Sequence, residues 1–463
     1  MRTMTVPRNW MDLNGRRLDS RPYFSGATEA KVILEKLPVA KDDLYKLTEN
    51  EDGIFNGPRF ARQYVDDPDF GVPFLGSTDI LLADLSLVPF LSKKYIQKHP
   101  ELLIKEGWTL ITCSGTIGRM AFARREMHGA AGSQHFMRVV PDEGKIKPGY
   151  LYSFLSSKYG LPMIIGMTYG AIIQHIEPHH IKDLPVPRLG EIEIECHNLC
   201  SKAAEMRTLA NEKLHEASSI INNALGFPSK ISIKTRNFSI TKACSKETSS
   251  RLEATFHDWV ARQSDALLDN VPSTSDFHTV ASFGETGRMT QVFVSKEYGV
   301  PFITSKELFL LRLDPDRFLS RKLLPEDESW KVEEGNILIA RSGQVGGIIG
   351  HCVWADKRFE NVCVSVDVIR LKAKNILPGY LFAYLNLTDI GYRQMVRTAA
   401  GSSIPHLFAE YLKYLRIPRT DEGTEKIINE LVFEAGKLRA EAQTCEDNAR
   451  KIVEYAIEEM SHG

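Results

Sequence analysis

The sequence predicts an α+β protein built from two similar domains, each followed by one long helix. Three observations predict it. An ordered internal repeat runs at a nearly constant offset, short Val/Ile/Phe-rich runs alternate with glycine turns inside each copy, and a proline-free helical stretch follows each copy. The parts are expected at 1–190 (first domain), 191–226 (first long helix), 227–422 (second domain) and 423–463 (second long helix).

The repeat comes first because it sets the architecture. Gly71-Val72-Pro73-Phe74 recurs as Gly299-Val300-Pro301-Phe302, an offset of 228. The run Gly107 to Gly118, which ends Ser114-Gly115-Thr116-Ile117-Gly118, recurs at 228 as Gly335 to Gly346, ending Ser342-Gly343-Gln344-Val345-Gly346. Pro148-Gly149-Tyr150-Leu151 returns as Pro378-Gly379-Tyr380-Leu381 at 230, and Gly170 and His175 return as Gly401 and His406 at 231. Chance does not produce that many matches in order. Within each copy Trp108 to Ile111 and Asn336 to Ala340 read as strands running into a Ser-Gly-x-x-Gly turn. Gly118 to Ala123, Gly346 to Cys352, Phe136 to Val140 and Val364 to Leu371 read as further strands. Tyr150 to Tyr159 and Tyr380 to Asn386 take a helical period. The expected domain is a curved, largely antiparallel sheet with a few helices on it. The Ser- and Lys-rich stretch 226–250 links the first helix to the second domain.

The long helices are expected at about 191–225 and 424–460. The first carries Leu199, Met206 and Ile220 with Ala203, Ala210, Ala217 and Ala224 seven apart; the second carries Leu431, Leu438 and Ile452 with Ala435, Ala442, Ala449 and Ala456. Large residues beside an alanine ladder form a coiled-coil pattern with close backbone approach, so the helices are expected to pack on each other. Antiparallel pairing predicts a pseudo-two-fold arrangement with a domain at each end of a rod of ~50 Å. That is about one and a half turns of B-DNA, at ~34–36 Å per turn.

Composition bounds the class. The chain has 463 residues, 43% hydrophobic and 25% charged, which suits more than one globular core and excludes a disordered chain. The start, MRTMTVPRNWMDLNG, has no apolar core of signal-peptide length, and no run approaches the ~20 apolar residues of a membrane helix. The seven cysteines form no CxxC pair, so reduced thiols and a cytoplasmic location are expected, with no membrane partner. The net charge of −1 cuts against a protein that grips nucleic acid alone.

The order Arg17-Leu18-Asp19, Val72-Pro73-Phe74, Ser114-Gly-x-x-Gly118, Pro148-Gly149-Tyr150-Leu151, Gly170-(x)4-His175 and Leu184-Pro185-Val186-Pro187 before a long helix resembles the specificity subunits of type I restriction–modification systems. It covers nearly the whole chain and occurs twice. The second copy departs at Leu415-Arg416-Ile417-Pro418, which lacks the first proline, and at Asn386-Leu387-Thr388, which replaces Ser156-Ser157. The resemblance implies two target-recognition domains, each reading one half of a split double-stranded DNA site. It implies paired helices that set the gap and dock two adenine-N6 methyltransferase subunits, with an ATP-driven restriction subunit as an optional further partner. Such partners would supply much of the phosphate neutralisation that the charge of −1 lacks.

The residues themselves show no catalytic set, so no enzyme activity, cofactor or metal is expected in this chain. There is no Asn-Pro-Pro-Tyr or Asp-Pro-Pro-Tyr motif and no GxxxxGK[ST] loop. Phe283-Gly284-Glu285-Thr286-Gly287 reads as a turn. Pro141-Asp142 with Glu143-Gly144-Lys145 places its acids in a polar turn, and His175, His179 and His180 lack ligand spacing. The competing readings are a specificity protein of another methyltransferase-based phage-defence system, a stand-alone nuclease, and a coiled-coil scaffold.

Base reading needs paired donors and acceptors on turns or helix ends. In the first domain Arg59, Arg62, Lys93, Lys94, Arg119, Arg124, Arg125, Gln134 and His135 are the candidates. In the second they are Arg288, Gln291, Lys306, Arg341, Gln344, Arg358, Arg393 and Arg397. Two domains that read different bases should differ at their contacts and share their scaffold, so Gly115, Gly118, Gly343 and Gly346 are expected to be structural.

Overall fold

The computed structural model describes residues 3–14, 16, 18–166, 175–231, 240–243, 251–284, 290–326, 328–401, 403–413 and 415–462. Arg17, Tyr169-Gly170, Ser402, Glu285 to Gly287, Arg288 and much of the 226–250 linker lie outside them. The chain divides into two compact units, residues 1–208 with 441–463, and residues 209–440. The expected boundaries at 190 and 422 separate kinds of element; the packing boundary falls inside each long helix.

The first unit has a four-stranded antiparallel sheet in the order Ile54–Asn56, Phe136–Val139, Thr109–Thr112, Met120–Phe122. A second sheet orders Tyr64–Val65, Phe90–Ser92, Gly71–Leu75 and Ala131–Gly132, the last pair parallel. Lys41–Asp43 pairs with Pro185–Pro187. The second unit has the same strand order. Its antiparallel sheet is Ala281–Gly284, Val368–Ala373, Ile337–Ala340, Cys352–Trp354. Its other sheet is Phe293–Val294, Arg317–Ser320, Gly299–Ile303, Cys363–Val364, again with one parallel pair, and Thr274–Asp276 pairs with Arg416–Pro418. The α+β duplication predicted above is the one observed.

The central strands Thr109–Thr112 and Ile337–Ala340 are buried along their whole length because both faces of each sheet are covered. In the first unit Ile111 joins the core with the helix Pro148–Leu155, while Leu110 points into a separate core with Trp108 and Phe136. In the second, Ile337 and Ile339 face the core with Tyr380 and Leu381, and Leu338 faces the other with Val353 and Phe359. The strand expected over 346–352 begins only at Cys352, since 345–350 forms a turn. The helix expected over 150–159 ends at Leu155, and a separate helix covers Gly160–Gly166.

The long helices span Glu191–Leu225 and Glu422–His462. Both start on the same device. Arg188 forms two hydrogen bonds of 3.0 Å with Glu193, whose Oε1 also accepts from the backbone N–H of Leu189. Arg419 grips Glu425 at 2.7 Å through two nitrogens, and Glu425 accepts from the N–H of Thr420. A buried carboxylate in the first turn thus caps free N–H groups and anchors the preceding strand. Within the first unit the helices run antiparallel, with Cys196 Sγ donating to the Ala449 carbonyl at 3.3 Å and Arg207 forming a bidentate ion pair with Glu446. Within the second, Arg439 donates to Asn211 Oδ1 at 2.7 Å and Lys213 meets Glu434 at 2.9 Å.

The seam differs from the expected one by a residue. Ala203, Ala210, Ala217, Ala435, Ala442 and Ala449 are fully buried, but Ala224 is exposed. Cys200, and the residues four positions after Ala203, Ala210 and Ala217, namely Arg207, Leu214 and Ile221, are buried beside them in place of the expected large residues. Leu199, Met206, Ile220, Leu438 and Ile452 are only half-buried. Leu199 and Ile452 lean on the core of the first unit, and Ile220 and Leu438 on that of the second, where Leu431 is buried. Alanines bring the backbones so close that the bulkier residues one position away turn toward the flanking domain.

Burial pushes the thiols of Cys113 and Cys363 up to about 11 and that of Cys196 up to about 12, with Cys200 and Cys352 higher still. In the folded chain at pH 8, iodoacetamide should modify these five cysteines at least about tenfold more slowly than in urea. Rapid native labelling at any of the five, read by peptide mass spectrometry, would contradict the packing. Among the described residues no helix is long and apolar enough to cross a membrane.

Candidate nucleic-acid interface

In the first unit the turn after Thr109–Thr112 meets the loop that enters Phe136–Val139. The N–H of Cys113 donates to the His135 carbonyl at 3.1 Å, and the N–H of His135 donates to Ser133 Oγ at 3.3 Å. This brings Ser114 Oγ to 3.0 Å from His135 Nδ1 and Gln134 Nε2 to 3.1 Å from His135 Nε2. An amide nitrogen only donates, so Nε2 accepts and the ring proton sits on Nδ1, donating to Ser114. Burial, then the nearby charges of Arg62, His175 and Arg59, hold His135 below its ordinary value and favour the neutral ring. Four cationic or potentially cationic side chains therefore share one field. Arg59 and Arg62 are exposed, Arg62 over the Phe74 ring at 5.2 Å. Gly115 has φ 76° and open space around its Cα, so the exposed turn approaches without a side chain.

Beneath this loop lies a residue that sequence reasoning missed. Arg138 is buried, donates to the carbonyls of Ser133 and Phe136 at 3.3 Å, and lies over the Phe136 ring at 4.7 Å. Burial lowers it to about 10. A Cβ on Gly132 would stand 2.3 Å from its guanidinium, so glycine is required there. Its counterpart Arg370 donates to the carbonyls of Lys331 and Ser329. An arginine at the same place in two apolar strands, 232 residues apart, was the available signal.

The second unit rebuilds the turn with other chemistry. The N–H of Arg341 donates to the Asp367 carbonyl at 2.9 Å, and the N–H of Asp367 to Ser365 Oγ at 3.3 Å. These are the bonds that bracket His135. Ser342 Oγ donates to Asp367 Oδ1 at 2.6 Å. Ser114 and Ser342 are bridged to His175 and His406 respectively. Gln344 is exposed and donates to the Ser403 carbonyl at 3.0 Å.

Several candidates are committed to partners within their own unit. Arg124 is 1% exposed, pairs with Glu126 and donates to the Leu82 and Ala83 carbonyls. Arg358 is held by both oxygens of Asp356 and donates to the Leu311 carbonyl at 3.1 Å. The two are one device with its charges exchanged. Arg124-x-Glu126 stands where Asp356-x-Arg358 stands 232 residues on, and each guanidinium reaches the loop after Gly-Val-Pro-Phe. Arg393 is bound by Asp389 and Arg397 by Asp265, with Arg397 over the Phe256 ring at 4.4 Å. Arg341 is half-buried and spends its guanidinium on the carbonyls of Leu407 and Val366. All five guanidinium groups are engaged by protein partners within their own unit.

The remaining candidates stay at the surface but outside the cluster's bonds. Lys93 is exposed and donates to the Asp69 carbonyl at 2.9 Å; Lys94, Gln291 and Lys306 are exposed, and Arg119 is half-buried. Arg125 is exposed and lines a cleft with Glu143, His197 and Glu205. Among the described residues no group of three His, Cys, Asp or Glu side chains is placed to hold a metal ion.

No family model matches the chain, and no curated protein matches it. Among solved structures it is similar to the S subunit of the type I restriction–modification system from M. genitalium, at 12% identity over 92% of this chain and 96% of that one, with a TM-score of 0.35. It is similar also to the HsdS subunit from Thermoanaerobacter tengcongensis (13% identity, 91% and 97% covered, TM-score 0.28). A third similar structure concerns complex assembly and conformational transition of the type I restriction–modification system (12% identity, 92% and 98% covered, TM-score 0.27). Superpositions of this depth assign nothing to the chain.

Proposed function

We propose that the chain is the DNA-sequence-reading subunit of a type I restriction–modification complex, without catalysis of its own. Each unit reads one half of a split site. The observation that supports this most directly is the duplicated turn. Two units of identical strand order hold Ser114 and Ser342 in the same backbone frame, yet set them against different side chains, His135 and Asp367. A common scaffold with divergent polar tips is what two readers of different bases require. In the first unit Arg59 and Arg62 stand beside the turn, where guanidinium groups serve both phosphate and guanine contacts.

With a net charge of −1, the chain shares the phosphate backbone with partners. In this proposal those partners are two adenine-N6 methyltransferase subunits docked on the long helices, joined in a complete system by an ATP-driven restriction subunit. Co-expressing the chain with an adenine-N6 methyltransferase subunit, and mapping N6-methyladenine genome-wide, tests the role. A split motif with a fixed unspecified gap is expected. A continuous motif, or methylation unchanged when this chain is deleted, overturns it.

A further inference from the structure

We infer that Asp367 with Ser342 in the second unit, and His135 with Ser114 in the first, are equivalent base-reading positions of opposite hydrogen-bond polarity. Asp367 accepts from an exocyclic amino group of cytosine or adenine; the Ser114 hydroxyl donates to an acceptor edge. This deepens the DNA-reading role proposed above and rests on it.

The equivalence is geometric. Residues 135 and 367 each accept from the N–H that precedes the turn serine and each receive a serine hydroxyl at their own N–H, Ser133 and Ser365. Only the side chain changes. In the first unit Gln134 donates to His135 Nε2, so the ring donates through Nδ1 to Ser114 Oγ, which leaves the Ser114 hydroxyl hydrogen unused toward the ring. In the second unit position 134 is matched by Val366, which has no amide to give. Because a carboxylate only accepts, Ser342 donates to Asp367 Oδ1, and Asp367 Oδ2 has no hydrogen-bond partner among the described residues. The carboxylate is half-exposed beside a turn whose next residues, Gln344 to Gly346, are exposed.

A carboxylate at this place is repelled by phosphate. It is favourable against DNA only where it meets an amino hydrogen on a base edge, and in the major groove cytosine N4 and adenine N6 provide one. The first unit has the reverse field. Arg59, Arg62 and His175 surround His135, which suits guanine N7 and O6.

The test is the methylated motif of the complete chain, co-expressed with its methyltransferase, as wild type, Asp367→Asn, Asp367→Ala and Ser114→Ala. Asn keeps the acceptor for Ser342 and replaces Oδ2 with a donor, so the turn stays intact while its outward polarity inverts. Asp367→Asn should weaken the preference for an amino-bearing base at one position of one half-site by about tenfold or more, leaving the gap and the other half unchanged. Ser114→Ala should relax one position of the opposite half. An unchanged motif in both Asp367 variants overturns the inference, as does a uniform fall in methylation with no base preference altered, which marks Asp367 as a folding residue. Failure of the underlying role shows separately: the wild-type chain would then give no split motif.

Discussion

Arg207→Met alone is expected to destabilise the first unit by about 3–5 kcal/mol, while Arg207→Met with Glu446→Leu is expected to return close to the parental stability or exceed it. The side chains are 3% and 1% exposed, and the guanidinium grips both carboxylate oxygens, one at 2.9 Å. Burial by itself pushes Arg207 down, but the Glu446 carboxylate outweighs it and holds the guanidinium charged. Removing one partner strands the other charge, buried, in a seam of alanines. Removing both leaves two apolar side chains of similar volume in the alanine groove. Urea unfolding of the full chain, followed by circular dichroism, would show a lowered midpoint for the single variant and recovery for the pair. A single variant as stable as the parent would contradict the buried pairing.

The second large effect is expected at the glycines of the duplicated Pro-Gly-Tyr-Leu motif. A Cβ on Gly149 would stand 2.7 Å from His197 Cα and 2.9 Å from Cys200 Cβ; one on Gly379 would stand 2.9 Å from Asn429 Cα. The obstacle is helix backbone, which cannot swing aside. The close approach also lets the Gly149 N–H donate to His197 Nδ1 at 3.2 Å and the Gly379 N–H to Asn429 Oδ1 at 2.9 Å. Gly149→Ala and Gly379→Ala should each cost about 1–3 kcal/mol through overpacking, and valine more. The tyrosines that follow reinforce the contact, since Tyr150 and Tyr380 donate to the carbonyls of Pro187 and Pro418 at the strand ends. An alanine variant with an unmoved unfolding midpoint would refute this reason for the glycine.

The duplication was legible because it copies residue identities at a steady offset, and identities survive where geometry is demanding. Gly71 and Gly299 show this: a Cβ there would stand 2.5 Å and 2.4 Å from Phe90 and Phe318. The alanine ladders were legible for the same reason. The exact seam was not, because a helix period locates a stripe only to within a residue, and Leu199 and Ile452 satisfy it as well as Cys200 and Val453 do. The interior arginines were harder. Arg124 and Arg358 look like surface charges in a list of residues. Only the fold brings the loop carbonyls of Leu82 and Leu311 to them, and the single clue was an opposite charge two residues away.

The sequence by itself determined the α+β duplicated plan, the two long helices and the glycine turns, since all of these are local periodicities or repeated identities. The tertiary structure alone decided which polar side chains are spent inside and which are offered outward. A guanidinium or carboxylate is committed by what packs around it, and those neighbours come from distant strands. His135 between Gln134 and Ser114, and Asp367 below Ser342, differ in polarity because a carboxylate can only accept from its serine, whereas an imidazole whose Nε2 accepts from Gln134 donates through Nδ1.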